Sequence, residues 1–175
     1  MSELTEALKR ISIWIEKHQL AEDGKIVPVL APGLTREQID FKVKDMPFQL
    51  SEEIYQLYQW ANGADKKGKI FYENIQLNQV FEDIELYTSF WVYLFFPLER
   101  ALQFVMNLGI QQGKYKICIF ALENGSNCAL VDEQKRYSSP IVDDIGLINE
   151  HLYPSVTDMM IKYAKKMEDG YLWFD

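Results

Sequence analysis

The stretch KYKICIFALENGSNCALVD, from Lys114 to Asp132, decides the fold of this chain. It contains an apolar segment over Lys114–Leu122, the pair Asn124-Gly125, and a second apolar segment over Asn127–Asp132. An Asn-Gly pair between two apolar segments favours a two-residue type I′ turn, because both central residues of that turn need a positive φ. The stretch therefore predicts an antiparallel β-hairpin.

A two-residue loop at Asn124-Gly125 also predicts the register of this hairpin. Residues whose numbers add to about 249 then face each other, so that Cys118 lies opposite Val131. In this register Cys118 and Cys128 lie on opposite faces of the hairpin, which argues against a disulfide bond between them. Both faces carry apolar residues, so the hairpin is expected to be a central part of a sheet that is covered on both sides.

Four helices are predicted before the hairpin from apolar residues at helical spacing and from capping side chains. They cover Ser2–Leu20, a short segment opened by the capping box Thr35–Gln38, Ser51–Ala61 and Leu98–Met106. Asn62-Gly63 is predicted to end the third helix, because a left-handed residue commonly follows a helix C-terminus.

The rest of the chain predicts further strands and one last helix. Short strands are expected at 69–72, 75–77 and 137–142, and a helix is expected to begin at Ser155 and to run past Met167. The aromatic run over 90–96 fits either a strand or a turn of buried helix. These elements predict a single α+β domain over residues 1–175, with a mixed or mainly antiparallel central sheet wrapped by helices.

The composition of the chain limits the classes of partner that it is expected to bind and the cell compartment in which it is expected. The chain has 18 Lys and Arg against 26 Asp and Glu, a net charge of −8. A net anion does not bind nucleic acid or anionic lipid through a general basic surface. The N-terminus has no basic and apolar signal segment, no stretch approaches the ~20 apolar residues of a spanning helix, and two cysteines make no disulfide framework. A soluble cytoplasmic protein is expected.

The sequence shows no catalytic, metal-binding or cofactor-binding motif. Of its two histidines, His18 is expected at a helix end and His151 in a loop, where a solvated side chain is the ordinary interpretation. There is no Cys/His cluster, no glycine-rich phosphate loop, and no EF-hand spacing around the adjacent Asp143 and Asp144. We therefore predict no catalytic residue, no metal and no cofactor.

Several short motifs follow one another in order. They are Met46-Pro47-Phe48, Ile54–Tyr58, Ala61–Ala64, Leu98–Ala101, Ile117–Ala121, Asn124-Gly125, Leu130–Asp132 and Pro154–Met160. This order, over about residues 47–166, resembles the SUKH superfamily, which includes fungal cell-wall-assembly regulators of the SMI/KNR type. The chain differs from the family pattern in its aromatic run, in its long first segment, and in having Tyr115 where a tryptophan often precedes the central strand.

The resemblance implies an α+β fold with a sheet wrapped by helices, and a non-catalytic role. Bacterial members of this superfamily are similar to immunity proteins that bind and neutralise a toxin domain, often a nuclease, and eukaryotic members resemble regulatory scaffolds. We expect a protein partner, in the first case a basic toxin domain. The candidate partner-binding residues are acidic: Asp65, Glu73, Glu82, Asp83, Glu85, Asp132, Glu133, Asp143 and Asp144.

Two alternatives to the immunity role stay open. The first is a regulatory scaffold or adaptor without a toxin partner, which the surroundings of the gene would distinguish. The second is an enzyme with a cleft lined by carboxylates such as Asp132, Asp143 and Asp144. Converging acids with strongly shifted pKa values would support that alternative.

Overall fold

The structure is a computed structural model and describes residues 2–19, 30–64, 94–103, 105–107, 113–122, 125–143 and 151–169. The helices described are α1 (Glu3–Gln19), α2 (Arg36–Val43), α3 (Glu52–Trp60), α4 (Leu98–Gln103) and α5 (Val156–Glu168). The strands described are β1 (Leu30–Pro32), β2 (Ala61–Ala64), β3 (Leu94–Phe95), β4 (Met106–Asn107), β5 (Lys114–Leu122), β6 (Gly125–Asp132), β7 (Ile141–Asp143) and β8 (His151–Tyr153). The fold is α+β, as the sequence predicts.

The β5–β6 hairpin lies inside the larger sheet and is its longest strand pair. The strand order is β3-β5-β6-β7-β8, with β4 also paired to β5, and β1 and β2 form a separate two-stranded sheet. Every pairing among the described strands is antiparallel. The central hairpin is therefore confirmed.

The register of the hairpin differs from the predicted one. Leu122 lies opposite Gly125, so Gly125 begins β6 and does not occupy the centre of the turn. Cys118 lies opposite Cys128, while Phe120 lies opposite Asn127, which leaves Ile119 as an extra residue in β5. This β-bulge breaks the alternation of side chains. The prediction that the two cysteines lie on opposite faces is wrong, because they are direct cross-strand neighbours.

One face of the sheet packs against the helices in a single apolar core. The bulge directs both Ile119 and Phe120 into this core. Three helices bury the apolar side chains that recur at helical spacing in the sequence. These are Leu4, Leu8, Ile11 and Ile15 of α1, Ile54, Leu57 and Tyr58 of α3, and Val156, Met159, Met160 and Tyr163 of α5. The apolar periodicity of these three helices is therefore confirmed.

The second face of the sheet is buried as well. Its side chains Cys118, Cys128, Leu130 and Val142 form a smaller apolar cluster, against which the half-buried Phe96 packs. The prediction that both faces of the hairpin are covered is confirmed.

The helix starts follow the capping side chains of the sequence. Thr35 and Gln38 form the complete capping box of α2. Ser51 accepts a hydrogen bond from the Ile54 N–H at the start of α3, and Ser155 accepts one from the Asp158 N–H at the start of α5. Each cap satisfies an N–H that the helix itself leaves without a partner.

Several predicted boundaries are wrong. The helix expected over Leu98–Met106 ends at Gln103, because Met106–Asn107 pairs with β5 as β4. At the end of the aromatic run, Leu94–Phe95 is a strand. The segment 137–142 begins as a loop and becomes a strand only at Ile141, and His151 belongs to β8. The strands expected at 69–72 and 75–77 lie outside the described residues.

Asn62-Gly63 does not end α3 in the predicted way. The helix ends at Trp60, and the chain continues directly as β2, which pairs with β1. Gly63 does have a positive φ of 85°, and a side chain there would meet the backbone of Phe96 and Pro97. The Asn62 Oδ1 atom accepts a hydrogen bond of 2.8 Å from the Leu98 N–H at the start of α4. The pair thus joins β2 to the start of α4.

A buried glutamate links α3 to α5. Glu53 is 2% exposed, and its carboxylate accepts hydrogen bonds from the N–H groups of Ser139, Val156 and Thr157 at 3.1–3.2 Å, and one from the Thr157 hydroxyl. Val156 and Thr157 are the first residues of α5, whose N–H groups have no partner within the helix. A negative charge at this end also suits the helix dipole.

Candidate interaction surface

Three of the nine candidate partner-binding residues lie within the described part of the chain. Asp132 is the last residue of β6, Glu133 follows it, and Asp143 ends β7. The other six, Asp65, Glu73, Glu82, Asp83, Glu85 and Asp144, lie outside the described residues. The structure therefore tests the placement of only the first three.

These three carboxylates do not converge. Asp143 lies opposite Asn127 on β6, whereas Asp132 is five residues further along the same strand. At about 3.3 Å per residue, roughly 17 Å separates these two positions. The backbone carbonyl of Asp143 accepts a hydrogen bond from the buried Lys116 ammonium, 2.9 Å away, so Asp143 lies beside a cation. Asp132 and Asp143 therefore do not lie together in one cleft.

The segment from Asp132, the last residue of β6, to Ser138 is called here the β6–β7 loop, and it is exposed from Glu133 onward. Within the loop, the Asp132 carboxylate accepts hydrogen bonds from the Gln134 N–H at 2.8 Å and from the Arg136 side chain at 2.7 Å. An aspartate that accepts a backbone N–H two residues later is a common way to fix a turn. Asp132 therefore shapes the loop and is already paired with a cation.

Backbone hydrogen bonds attach this loop to the start of α3. The Asp132 carbonyl accepts from the Gln49 N–H at 2.8 Å, and the Arg136 and Tyr137 carbonyls accept from the Glu52 and Glu53 N–H groups at 3.1 and 3.0 Å. The loop thus supplies acceptors for N–H groups that open the helix. These contacts fix both ends of the loop against the core.

The loop presents an exposed aromatic side chain. Tyr137 is 62% exposed, and Glu133 to Arg136 and Ser138 around it are exposed too. The sequence reasoning missed this feature because it placed Tyr137 at the start of a strand. The polar run Glu133–Arg136 was the signal that a loop, and not a strand, follows β6.

An ordered group of side chains on α2 and α3 lies next to the loop. Arg36 makes two hydrogen bonds of 2.9 Å to the Glu52 carboxylate, and its guanidinium lies 4.4 Å from the centre of the Tyr55 ring. The Tyr55 hydroxyl donates to Asp40, and burial, followed by this hydrogen bond, raises the pKa of Tyr55 to about 12. The Arg36 hydrogen bonds lower the pKa of Glu52.

The anionic excess of the chain lies mainly outside the described part. The described residues include 15 acidic and 14 basic side chains, a net charge of −1. The remaining residues include 11 acidic and 4 basic side chains, a net charge of −7. The β6–β7 loop itself has two acids, Asp132 and Glu133, and two bases, Lys135 and Arg136. Its surface is therefore of mixed charge.

The stability that Asp132 contributes is expected to depend on pH. Burial acts to raise the pKa of Asp132, but the hydrogen bonds from Arg136 and Gln134 outweigh it and hold the pKa below its ordinary value of 3.8. A lowered pKa in the folded state means that the contribution is fully present above about pH 4 and is lost as the pH falls through the folded value. The free energy of unfolding in urea should be about 1 kcal/mol lower for Asp132→Asn than for the unmodified protein at neutral pH, and this difference should shrink in acid.

Glu133→Gln is the matched control, because Glu133 is the next carboxylate along the chain and its side chain is outside these hydrogen bonds. A difference for Asp132→Asn that stays constant from neutral pH to about pH 3 would contradict the assignment.

The described residues hold neither a metal-binding cluster nor a membrane-spanning helix. His151 is exposed on β8. Among the described residues, no group of three or more His, Cys, Asp or Glu side chains could hold a metal ion. Within the same residues, no helix has the length and apolarity needed to cross a membrane.

Comparison with protein-family models and with curated proteins finds no match for this chain. The resemblance to the SUKH superfamily therefore depends on the order of its motifs alone.

Proposed function

We propose that the protein is a non-catalytic protein-binding module that acts in the cytoplasm, and that its β6–β7 loop forms part of the binding surface. We further propose that it is an immunity protein whose partner is a basic toxin domain, in line with the SUKH-type motif order. The observation that carries the binding role is Tyr137, which is exposed on a loop whose backbone is hydrogen-bonded to the start of α3.

A tyrosine whose backbone is held by hydrogen bonds suits an interface anchor for two reasons. Tyrosine contributes a large apolar ring and a hydroxyl with few rotatable bonds, and it is enriched among the residues that dominate binding energy. A loop that already has its bound conformation also loses less conformational entropy when a partner binds. The three backbone hydrogen bonds to Gln49, Glu52 and Glu53 provide this preorganisation.

The charge of the chain supports a basic partner. The net charge of −8 attracts a cationic protein and speeds its association. Around Tyr137 the loop has both signs, with Glu133 beside Lys135 and Arg136. Mixed charges at the edge of an interface contribute to specificity more than to affinity. The acidic residues outside the described part would supply the long-range attraction.

We would test the binding role with a basic toxin domain encoded by a neighbouring gene. Calorimetric titration should give a specific complex, and Tyr137→Ala should weaken it at least tenfold, because truncating an interface anchor typically costs about 2 kcal/mol. Phe41→Ala is the control, since Phe41 is also an exposed aromatic, 70% exposed, but lies on α2. It should change the dissociation constant less than about twofold.

Two results would contradict this proposal. If the unmodified protein neither binds the neighbouring toxin nor protects cells from it, the immunity role is wrong. If both variants bind as well as the unmodified protein, the loop is not the binding surface. A genome without a neighbouring toxin gene would favour the scaffold role, and the partner would then be sought by affinity isolation from the host.

A further inference from the structure

The two cysteines of the chain form a directly opposed pair in the central hairpin. Cys118 on β5 and Cys128 on β6 are register partners, and their Sγ atoms lie 2.7 Å apart. Both side chains are buried and are not joined by a disulfide. The chain has two cysteines in total, so each is the sole intramolecular partner available to the other.

We propose that Cys118 and Cys128 are an oxidative modification site, at which a small hydroperoxide produces a cross-strand disulfide. Directly opposed residues of antiparallel strands have Cα atoms about 4.5–5.5 Å apart, which is within the range of about 4.4–6.8 Å found for disulfides. The two side chains already lie on one face of the hairpin, so the bond forms without a change of register.

The reaction balances with hydrogen peroxide as the oxidant. One thiolate attacks a peroxide oxygen, the O–O bond breaks, and the products are a sulfenic acid and hydroxide, which takes up the thiol's proton as water. The second thiol attacks the sulfenic sulfur, the S–S bond forms, and a second water leaves. Two thiols are thereby oxidised by two electrons, and one peroxide is reduced to two waters. A dithiol reductant reverses the change by thiol–disulfide exchange.

Burial selects the oxidant. Cys128 is completely buried and Cys118 is 5% exposed, in an apolar cluster with Leu130 and Val142. A bulky aromatic disulfide cannot approach such sulfurs in the folded protein, whereas a peroxide of nearly the size of water needs only a small local opening. Oxidation in the folded state is therefore expected to be slow but specific.

The disulfide would stabilise the hairpin beside its bulge. It closes the short loop between Cys118 and Cys128, in the pair of strands at the centre of the sheet. A cross-link of this loop length should raise the melting temperature of the protein by about 5–10 °C, since it restricts the unfolded chain. It also strengthens the attachment of β6, the strand that leads into the β6–β7 loop.

The test exposes the full-length folded protein to hydrogen peroxide and maps the products under non-reducing conditions. Cleavage after Glu123 separates the two cysteines in the sequence. We expect the fragments with Cys118 and Cys128 to stay joined until a dithiol is added, and the melting temperature to rise and to return on reduction. A bulky aromatic disulfide should react far more slowly with the folded protein than with the protein unfolded in urea.

The variant Cys118→Ala is the control. In this variant, hydrogen peroxide should oxidise Cys128 to sulfinic or sulfonic acid, and no cross-link should form. Separately over-oxidised cysteines in the unmodified protein, or cross-links between chains without the internal one, would overturn the proposal. The mapping of the unmodified protein decides the question even if Cys118→Ala does not fold.

Discussion

Replacing Glu53 by alanine is expected to lower the free energy of unfolding by about 3–5 kcal/mol. The substitution removes the acceptor for the N–H groups of Ser139 and Val156, which are buried, and of Thr157, which is half-buried. Each buried N–H without an acceptor costs about 1–3 kcal/mol, and the first turn of α5 also loses the negative charge that its dipole favours. Urea denaturation followed by circular dichroism measures the loss.

Glu52→Ala is the control for this experiment. Glu52 is the preceding residue and is also a glutamate in the first turn of α3, but its partner is the partly exposed Arg36. Ion pairs of this kind contribute less than about 1 kcal/mol. Glu53→Gln preserves the shape of the side chain and one acceptor oxygen. Its loss of unfolding free energy should therefore lie between those of Glu53→Ala and Glu52→Ala. A loss for Glu53→Ala no larger than that for Glu52→Ala would show that Glu53 does not connect α3 to α5.

The second large effect is expected for Gly63→Ala, which should lower the free energy of unfolding by about 3–5 kcal/mol. Gly63 has a φ of 85°, and an added Cβ would lie 2.4 Å from the Pro97 nitrogen and 2.9 Å from the Phe96 carbonyl carbon. These neighbours are backbone atoms and cannot rotate away. The chain must then move apart where Asn62 accepts the hydrogen bond from Leu98. Thermal and urea unfolding measure the effect.

Gly113→Ala is the control that separates two costs of an added Cβ. One is the strain of a positive φ, and the other is the clash with neighbouring backbone atoms. Gly113 also has a positive φ, 74°, but an added Cβ would meet the end of the Glu133 side chain at 3.3 Å. That side chain can move, so the loss should be about 1–2 kcal/mol, which is the cost of the left-handed conformation. Similar losses for the two variants would mean that the approach of Phe96 and Pro97 is not what requires glycine at position 63.

The helices could be predicted because their signals are local. The capping box of Thr35 and Gln38 and the cap of Ser155 act within three residues, and the buried stripe of α1 repeats every three or four. Side chains at these spacings meet as soon as the helix forms, whatever the rest of the chain does. The early end of α4 was missed because pairing of Met106 with Lys116 on β5 outweighs helix propensity.

For the β5–β6 hairpin, local sequence signals predicted the chain reversal but not the register of the two strands. The Asn-Gly pair correctly indicated a reversal between two apolar strands, but the bulge at Ile119 displaced the register and brought the two cysteines together. A bulge is selected by how Ile119 and Phe120 pack into the common core, which involves helices distant in sequence.

The positions of the candidate acids could not be predicted from the sequence. The charge interpretation named Asp132 and Asp143, but it did not show that Asp132 is paired with Arg136 or that Asp143 lies about 17 Å along the sheet. Tyr137 was not recognised, because its exposure follows from hydrogen bonds between the loop and the start of α3.

Taken by itself, the amino-acid sequence determined the α+β class, the starts of three helices, the central hairpin and the net charge, since each follows from composition or from residues a few positions apart. The tertiary structure alone decided which partners Glu53 has, that Tyr137 is exposed, and that the two cysteines face each other. The partners of Glu53 lie as much as 104 residues away. Whether a carboxylate caps a distant helix or faces water depends on which surfaces the apolar core brings together, and no local pattern encodes that.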